Sequence, residues 1–194
     1  MEEYWRKFLY SRTESDAFAY IYNYYVNDLL SYGISLGFDE ETCRDVVHDL
    51  FYKLYIDRNK LTHVKNPTSY LFKSFRNRLF NIHNRKSKIS SIDDEEIPFR
   101  TEITILETII NKEEVEKLKR VVTDLLNELT PRQREAIYLR YMQEMDYEDI
   151  AELMKMSSNS ARRLVHRGIK TLREKGGDSK DYLLVLNLIL FLKM

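Results

Sequence analysis

Apolar residues recur every three or four positions along most of this chain, and this spacing limits the folds that are open to it. Near the N-terminus the pattern is carried by Ala17, Ile21, Tyr24, Tyr25, Leu29 and Tyr32. No stretch shows the alternation or turn dipeptides of strands and hairpins, and the 194 residues include only 5 Gly and 3 Pro. The sequence therefore predicts an all-α fold with one or two domains.

Residues with strong positional preferences mark the expected helix ends. Gly33 and Gly37 predict a break, Asp39 predicts an N-cap for the next helix, and Pro67 suits the first position of a further one. In the second half of the chain the corresponding signals are a capping box at Thr130-Pro131-Arg132-Gln133, Asp146 before a short helix, Ser157 before a longer one, and Gly176-Gly177 as its stop.

Helical periodicity fades where Ser, Asp, Glu and a Pro cluster, which predicts a linker between two helical domains. We place the first domain at residues 1–86, an acidic linker at 87–103, the second domain at 104–177 and an apolar tail at 178–194.

The 31 Lys and Arg residues balance 31 Asp and Glu residues, but the charges are segregated along the chain. Nine bases and no acid lie between residues 58 and 92, whereas residues 93–117 hold nine acids and three bases. Residues 155–175 hold seven bases and one acid. The two basic blocks indicate either two surfaces for a polyanion or two solvated helix faces. We hypothesise that the acidic connector, residues 93–116, lies against one of them and keeps the free protein off DNA.

Residues 147–166 have the pattern of a helix-turn-helix. Ile150, Ala151 and Met154 form the inner face of the first helix, and Ala161, Leu164 and Val165 form that of the second. Lys155 occupies the turn, where Gly is common because the backbone there is left-handed. The second helix presents Asn159, Arg162, Arg163, His166, Arg167 and Lys170 outward, and its first turns would enter a major groove. The alternative is an ordinary basic amphipathic helix.

Catalytic patterns are missing from the sequence. The four His are scattered without metal-ligand spacing, and there is neither a phosphate-binding Gly loop nor a nucleophile motif. The single cysteine, Cys43, lies on an apolar helical face and is expected in the core. We therefore expect no enzyme activity, catalytic residue, metal, cofactor or small-molecule substrate.

Residues 126–175 resemble region 4 of sigma factors of the sigma-seventy family. The segments 16–25, 41–55 and 69–85 resemble region 2 of the same family, in the family's order and spacing. Because no region 3 separates the halves, the chain resembles the extracytoplasmic-function (ECF) branch. The resemblance implies a cytoplasmic initiation factor that binds core RNA polymerase and directs it to promoters. It would read the minus-ten and minus-thirty-five elements and aid promoter melting, with an anti-sigma factor as a further partner.

The resemblance also implies roles for individual residues. The polymerase-binding set is Asp45, His48, Asp49 and Phe51, with His48 where the family usually has Gln. The minus-ten set is Lys60, Lys65, Tyr70, Lys73, Arg76, Asn77 and Asn81, with Tyr70 where the family often has Trp. Phe75 and Leu79 on the same helix are expected in the core. The minus-thirty-five set, on the second helix of the helix-turn-helix, is Ser158, Asn159, Arg162, Arg163, His166 and Arg167.

The chain ends in an apolar segment, residues 182–192, which at 11 residues is too short for the about 20 that a membrane span needs. The start, Met1-Glu2-Glu3, lacks the pattern of a signal peptide. We expect no direct membrane insertion. We hypothesise that the tail packs on the protein's own apolar surface and helps to hold a closed, inactive form.

Two other functions fit the same residues. The first is a helix-turn-helix regulator that binds a pseudo-palindrome as a dimer without polymerase. The second is a pure interaction protein, such as an anti-sigma factor or adaptor that has lost its DNA contacts. The basic polar surface of Asn159, Arg162 and Arg163 argues against the second.

Overall fold

The computed structural model describes residues 1–10, 15–87, 98–100 and 112–176. Within these ranges the chain forms eight α-helices and no strand, so the predicted all-α class is confirmed. The chain divides into two compact units, an N-terminal unit (Met1–Asp93) and a C-terminal unit (Asp94–Met194). The apolar tail and most of the acidic connector lie outside the described residues.

The N-terminal unit consists of helices that pack around α2 and α3. They are α1 (Glu2–Tyr10), α2 (Ser15–Ser35), α3 (Glu40–Ile56), a 3-10 turn (Arg58–Lys60) and α4 (Pro67–Ser87). Helix α2 contacts α1, α3 and α4. Large aromatic and aliphatic side chains fill the core, including Phe8, Ile21, Tyr25, Tyr32, Phe72, Phe75 and Leu79, each of them fully buried. Burial of this much apolar surface is the main force that holds the unit together.

Two of the predicted helix starts in this unit are confirmed. The Asp39 carboxylate accepts a hydrogen bond from the Thr42 backbone N–H at 2.8 Å, so Asp39 is the N-cap of α3. Helix α4 begins at Pro67, and the Asn66 side chain accepts from the Ser69 backbone N–H at 3.2 Å. The caps satisfy backbone donors that have no partner inside the helix.

The predicted break at Gly33 is wrong, whereas the one at Gly37 is confirmed. Gly33 lies inside α2, and Gly37 takes the left-handed backbone conformation just beyond it, with φ of 90°. Phe38 N–H donates to the Gly33 carbonyl at 3.2 Å and Gly37 N–H to the Ile34 carbonyl at 2.9 Å. This pair of bonds is the Schellman ending of a helix, which favours glycine.

Gly33 instead serves close helix packing. A Cβ atom at this position would lie 2.5 Å from the Cys43 Sγ atom on α3 and 3.0 Å from the Phe75 ring on α4. Both neighbours are fully buried. The absence of a side chain therefore allows three helices to meet.

We expect Gly33→Ala to destabilise the N-terminal unit by about 1–3 kcal/mol, because the overlap exceeds the gain of about 1 kcal/mol in helix propensity. Gly168→Ala is the matched control. A Cβ there would lie 2.7 Å from Ile137 Cδ1, the terminal atom of its side chain, and at least 3.4 Å from the other neighbours, so rotation about one side-chain bond relieves the overlap and we expect a smaller loss. Urea unfolding of each variant, followed by the fluorescence of Trp5 and by circular dichroism, measures the two effects. Equal stability of Gly33→Ala and the parent would contradict the packing role.

The C-terminal unit consists of four helices and a π-helical turn. They are α5 (Lys112–Asn127), α6 (Pro131–Ile137), the π-helix (Tyr138–Met142), α7 (Tyr147–Leu153) and α8 (Ser158–Gly176). One part of its core joins Val122, Leu125, Leu126, Leu129, Ile137 and Leu172. The predicted capping box is confirmed, since Gln133 N–H donates to Thr130 Oγ1 and Thr130 N–H donates to Gln133 Oε1.

Phe99 corrects part of the expected linker. The residue lies inside the predicted segment 87–103, yet it is 1% exposed and its ring packs 5.6 Å from that of Tyr138. Its carbonyl accepts a hydrogen bond of 2.6 Å from Arg134 Nη1. The short apolar run Ile97-Pro98-Phe99 lacks the periodicity of a helix, so only the tertiary contacts of Phe99 show that it belongs to the core of the C-terminal unit.

Arg134 ties three segments of this unit together. Besides the bond to Phe99, its Nε donates to the Leu126 carbonyl at 2.9 Å and its Nη2 to the Leu129 carbonyl at 3.1 Å. Partial burial lowers the pKa of the guanidinium. The end of α5, the start of α6 and the Phe99 segment therefore share one charged donor group.

Candidate nucleic-acid interface

Helices α7 and α8 form the predicted helix-turn-helix. Asp146 caps α7 by accepting from the Asp149 N–H at 2.8 Å, and Ser157 caps α8 by accepting from the Ser160 N–H at 3.1 Å. Small residues lie at the crossing, because Ala151 and Ala161 are both buried. Of the six residues predicted for the two inner faces, five are buried and Leu164 is half-buried.

The turn between the two helices has the left-handed residue that the sequence suggested. Lys155 has φ of 52° and follows the last turn of α7, and Met156 N–H donates to the Ala151 carbonyl at 2.9 Å. Lys155 therefore occupies the position that Gly37 holds after α2. Arg132 on α6 supports the turn, since its Nη2 donates to the Met154 carbonyl at 3.3 Å.

One face of α8 carries the polar side chains predicted to meet DNA. Asn159, Arg162, Arg163, His166 and Arg167 are all exposed, and Ser158 is half-buried at the start of the helix. Several of them line a shallow depression on this face, formed by Ser160, Arg162, Arg163, His166 and Arg167. The structure thus brings the whole predicted minus-thirty-five set together on one surface, here termed the α8 face.

Residues of α7 contact the α8 face. The Ser158 hydroxyl donates to Glu148 Oε1 at 3.0 Å. The Arg162 guanidinium lies over the Tyr147 ring, 5.1 Å from its centroid, and that of Arg140 lies 4.9 Å from the same centroid. Tyr147 and Glu148 are not among the residues predicted for the minus-thirty-five set. The only signal available was their place in the first turn of the first helix.

Helix α4 carries a second polar surface. Tyr70, Lys73, Asn77 and Asn81 follow one another at spacings of three and four, which places them along one face. Asn77 and Asn81 are exposed, whereas Tyr70 and Lys73 are half-buried. Phe75 and Leu79 are fully buried on the opposite side, as predicted. The face of Tyr70, Lys73, Asn77 and Asn81 is termed the α4 face.

Arg76 is not part of the α4 face, so its assignment as a direct DNA contact is wrong. The residue is 2% exposed, and its guanidinium lies 4.7 Å from the centroid of the Phe80 ring. At 100° per residue, position 76 points towards the side of α4 that carries Phe72 and Leu79. The position of residue 76 on the helix therefore determines that the side chain is buried, although arginine is usually exposed.

Lys60 and Lys65, which precede α4, are exposed. Lys60 Nζ lies 2.6 Å from Asp57 Oδ1. The hydrogen bond raises the pKa of Lys60 and lowers that of Asp57. The only acid near the start of the basic block therefore forms an ion pair with one of its lysines.

Helix α3 presents the expected polymerase-binding residues, with one exception. Asp45, His48 and Asp49 are exposed on one face. Phe51 is 2% exposed and packs against the rings of Tyr22 at 4.9 Å and Phe18 at 6.1 Å, so its assignment to the binding surface is wrong. Its ring holds α3 against α2 instead.

Large apolar side chains extend the exposed face of α3. Tyr52 is 69% exposed and Ile56 is 60% exposed, at positions seven and eleven residues after Asp45. The same spacing places both on the face of Asp45, Asp49 and His48. This surface, termed the α3 face, combines acidic groups with apolar ones. The spacing of three and four residues in the sequence was sufficient to predict that Tyr52 and Ile56 share this face.

The described residues contain no cluster suited to a metal ion, and the single cysteine is buried. Within those ranges, no three His, Cys, Asp or Glu side chains are grouped so that they could hold a metal ion. Cys43 is fully buried, and burial raises the pKa of its thiol to about 12, so the thiol stays protonated and unreactive. No helix in the described part is both long and apolar enough to cross a membrane.

Comparisons with known proteins found a family model, a curated relative and a solved structure that are similar to this chain. Residues 119–172 match the family described as Sigma-70, region 4, and this range includes the helix-turn-helix. The chain is 26% identical over 153 residues to the ECF RNA polymerase sigma factor SigM of Bacillus subtilis (strain 168). The aligned residues cover 79% of this chain and 91% of SigM. Among solved structures, the fold is similar to sigma factor RpoE of Bartonella quintana, crystallised with the anti-sigma factor NepR. The TM-score is 0.51 at 23% identity, over 77% of this chain and 89% of that one.

Proposed function

We propose that this chain is a transcription initiation factor that directs core RNA polymerase to specific promoters. The predicted resemblance to ECF sigma factors of the sigma-seventy family is confirmed by the similarities reported above. The observation that carries the proposal is the α8 face, an exposed row of Asn, Arg and His on the second helix of a capped helix-turn-helix. That helix lies inside the segment that matches region 4.

The α8 face has the chemistry needed to read a minus-thirty-five duplex. The first turns of such a helix enter the major groove, where Arg pairs with guanine edges and Asn with adenine edges. Asn159, Arg162 and Arg163 lie in those first turns. His166 and Arg167 follow one turn later, where they would contact phosphates.

The α4 face has the chemistry needed to hold a melted minus-ten strand. Asn77 and Asn81 offer amide donors and acceptors to unpaired bases, and the half-buried Tyr70 offers a ring edge or face. Lys60, Lys65 and Lys73 neutralise the backbone. No acid occurs between residues 58 and 92 to oppose them.

The α3 face supplies the contact with core RNA polymerase in this proposal. Asp45 and Asp49 give it negative charge, and Tyr52 and Ile56 give it exposed apolar area towards the C-terminal end of the helix. Apolar area that can be buried next to polar groups is typical of specific protein interfaces. His48 would donate or accept one hydrogen bond within the same surface.

The remaining partners follow from the relatives. Because the similar Bartonella protein was solved with an anti-sigma factor, we propose that this chain also has an anti-sigma partner. It would act in the cytoplasm, where the polymerase meets promoter DNA. It would perform no covalent chemistry of its own, and binding energy alone would drive promoter recognition and melting.

Run-off transcription tests the proposal directly. We expect the full chain, mixed with core polymerase and a genomic promoter library, to yield transcripts with defined start sites that neither component produces alone. The free chain should bind DNA weakly, with an affinity that falls steeply as salt rises. Tight binding of a dimer to a pseudo-palindrome without polymerase would support a conventional regulator and overturn the proposal.

A further inference from the structure

We propose that Tyr147 and Glu148, in the first turn of α7, are positioning residues that set the sequence preference of the α8 face by holding Arg162 and Ser158. The inference rests on the proposed function, because it concerns how this face reads a DNA duplex. It adds two residues that make no predicted DNA contact themselves.

The Tyr147 ring is attached to a well-anchored part of the fold. Its backbone starts α7 directly after the capping residue Asp146. The Arg140 guanidinium lies over the ring, and its Nη1 donates to the Met145 carbonyl at 2.7 Å. The ring thus connects a guanidinium that is bonded to the main chain with one that is exposed on the α8 face.

Arg162 is the exposed guanidinium. It lies 5.1 Å from the centroid of the Tyr147 ring, a distance at which a cation is attracted to the ring face. Bidentate recognition of guanine requires a planar group in one orientation, whereas an unsupported arginine samples many. Contact with the ring therefore restricts Arg162 before DNA binds, which favours discrimination between bases.

Glu148 sets the hydrogen-bond polarity of Ser158. The Ser158 hydroxyl donates its proton to Glu148 Oε1 at 3.0 Å, so its oxygen is left to accept from a partner. An accepting Ser158 would bind amino groups on base edges and would be a poor partner for phosphate oxygens. The negative charge of Glu148 next to the start of α8 also weakens sequence-independent attraction to phosphates.

The test uses the holoenzyme formed from the full chain and core polymerase. A duplex library with randomised bases upstream of a fixed start region is selected by binding and then sequenced, so that base preference is measured at every position. The variants are Tyr147→Leu, Tyr147→Phe, Arg162→Ala, the double variant Tyr147→Leu/Arg162→Ala, and Glu148→Gln. Glu152→Gln is the control, because it removes the same charge from an exposed position one turn further along α7.

We expect Tyr147→Leu to lower the preference for the favoured base about two- to five-fold at a single position, and Tyr147→Phe to retain it, since the ring face carries the attraction. In the Arg162→Ala background, Tyr147→Leu should have no further effect on that position. Glu148→Gln should raise binding to unselected sequences, while Glu152→Gln should change it less.

Unchanged base preference in Tyr147→Leu, together with unchanged binding of unselected sequences in Glu148→Gln, would overturn the inference. So would an additive loss in the double variant, which a general weakening of the helix-turn-helix would produce. Thermal unfolding of each variant identifies loss of structure. If Tyr147→Leu does not fold, Glu148→Gln is the variant that tests the inference. If the parent holoenzyme selects no sequence at all, the proposed function fails rather than the positioning role.

Discussion

We expect the replacement of Asn159, Arg162 and Arg163 together by Ala to reduce promoter-specific transcription by the proposed holoenzyme about a hundredfold or more. Each well-placed pairing of a side chain with a base edge contributes about 1–3 kcal/mol of discrimination, and the variant removes as many as three. All three side chains are exposed, so the fold of the C-terminal unit does not depend on them. The measurement is run-off transcription from a promoter selected by the parent protein.

A variant with the same loss of charge is the control. Arg173→Ala/Lys175→Ala also removes two positive charges from exposed positions on α8, about 15 Å further along the helix axis from Arg163. We expect this control to retain most of its activity. If the triple variant transcribed as well as the parent, the α8 face would not read DNA and an interaction protein would become the better reading. Thermal unfolding should give the same midpoint for both variants.

We expect Arg134→Met to destabilise the C-terminal unit by about 2–4 kcal/mol. Hydrogen bonds from a charged group contribute about 1.5–3 kcal/mol each, and Arg134 donates to the carbonyls of Leu126, Leu129 and Phe99. The total is smaller than three times this value, because Arg134 is only half-buried and the contributions of neighbouring hydrogen bonds do not add. Met retains the aliphatic stem but leaves three carbonyls without this donor.

Hydrogen exchange measured by mass spectrometry separates the effect on the two units. Faster exchange in peptides from residues 120–172, with unchanged exchange in residues 16–56, is the expected result. Arg132→Met is the matched control, because that guanidinium has one bond, to the Met154 carbonyl at 3.3 Å. Equal protection in Arg134→Met and Arg132→Met would show that the three-carbonyl contact adds little stability.

Local signals in the sequence were sufficient to predict most of the helix ends and the helix-turn-helix. A cap acts through residues two or three positions away, so Asp39, Thr130 and Asp146 could be recognised without knowledge of the tertiary fold. The inner faces of α7 and α8 followed from spacing alone. The same spacing predicted burial of Phe75 and Leu79 and left the polar residues of α8 on one exposed face.

Residue type was misleading where it conflicted with position on a helix. Arg76 belongs to a basic block and Phe51 to a segment that resembles a binding surface, yet both are buried. Their angular positions on α4 and α3 agree with burial. Gly33 was read as a break because glycine often ends helices, whereas its role depends on Cys43 and Phe75, which are distant in sequence.

By itself the sequence determined the all-α class, the capped helices and the polar face of α8, because these depend on spacing and on contacts within a turn or two. The tertiary structure decided which charged and aromatic groups meet: Arg134 with three carbonyls, Phe99 with Tyr138, and Tyr147 with Arg162. Such contacts join residues separated by several to many positions. They form only after helix packing has set the distances between side chains, and no local pattern records those distances.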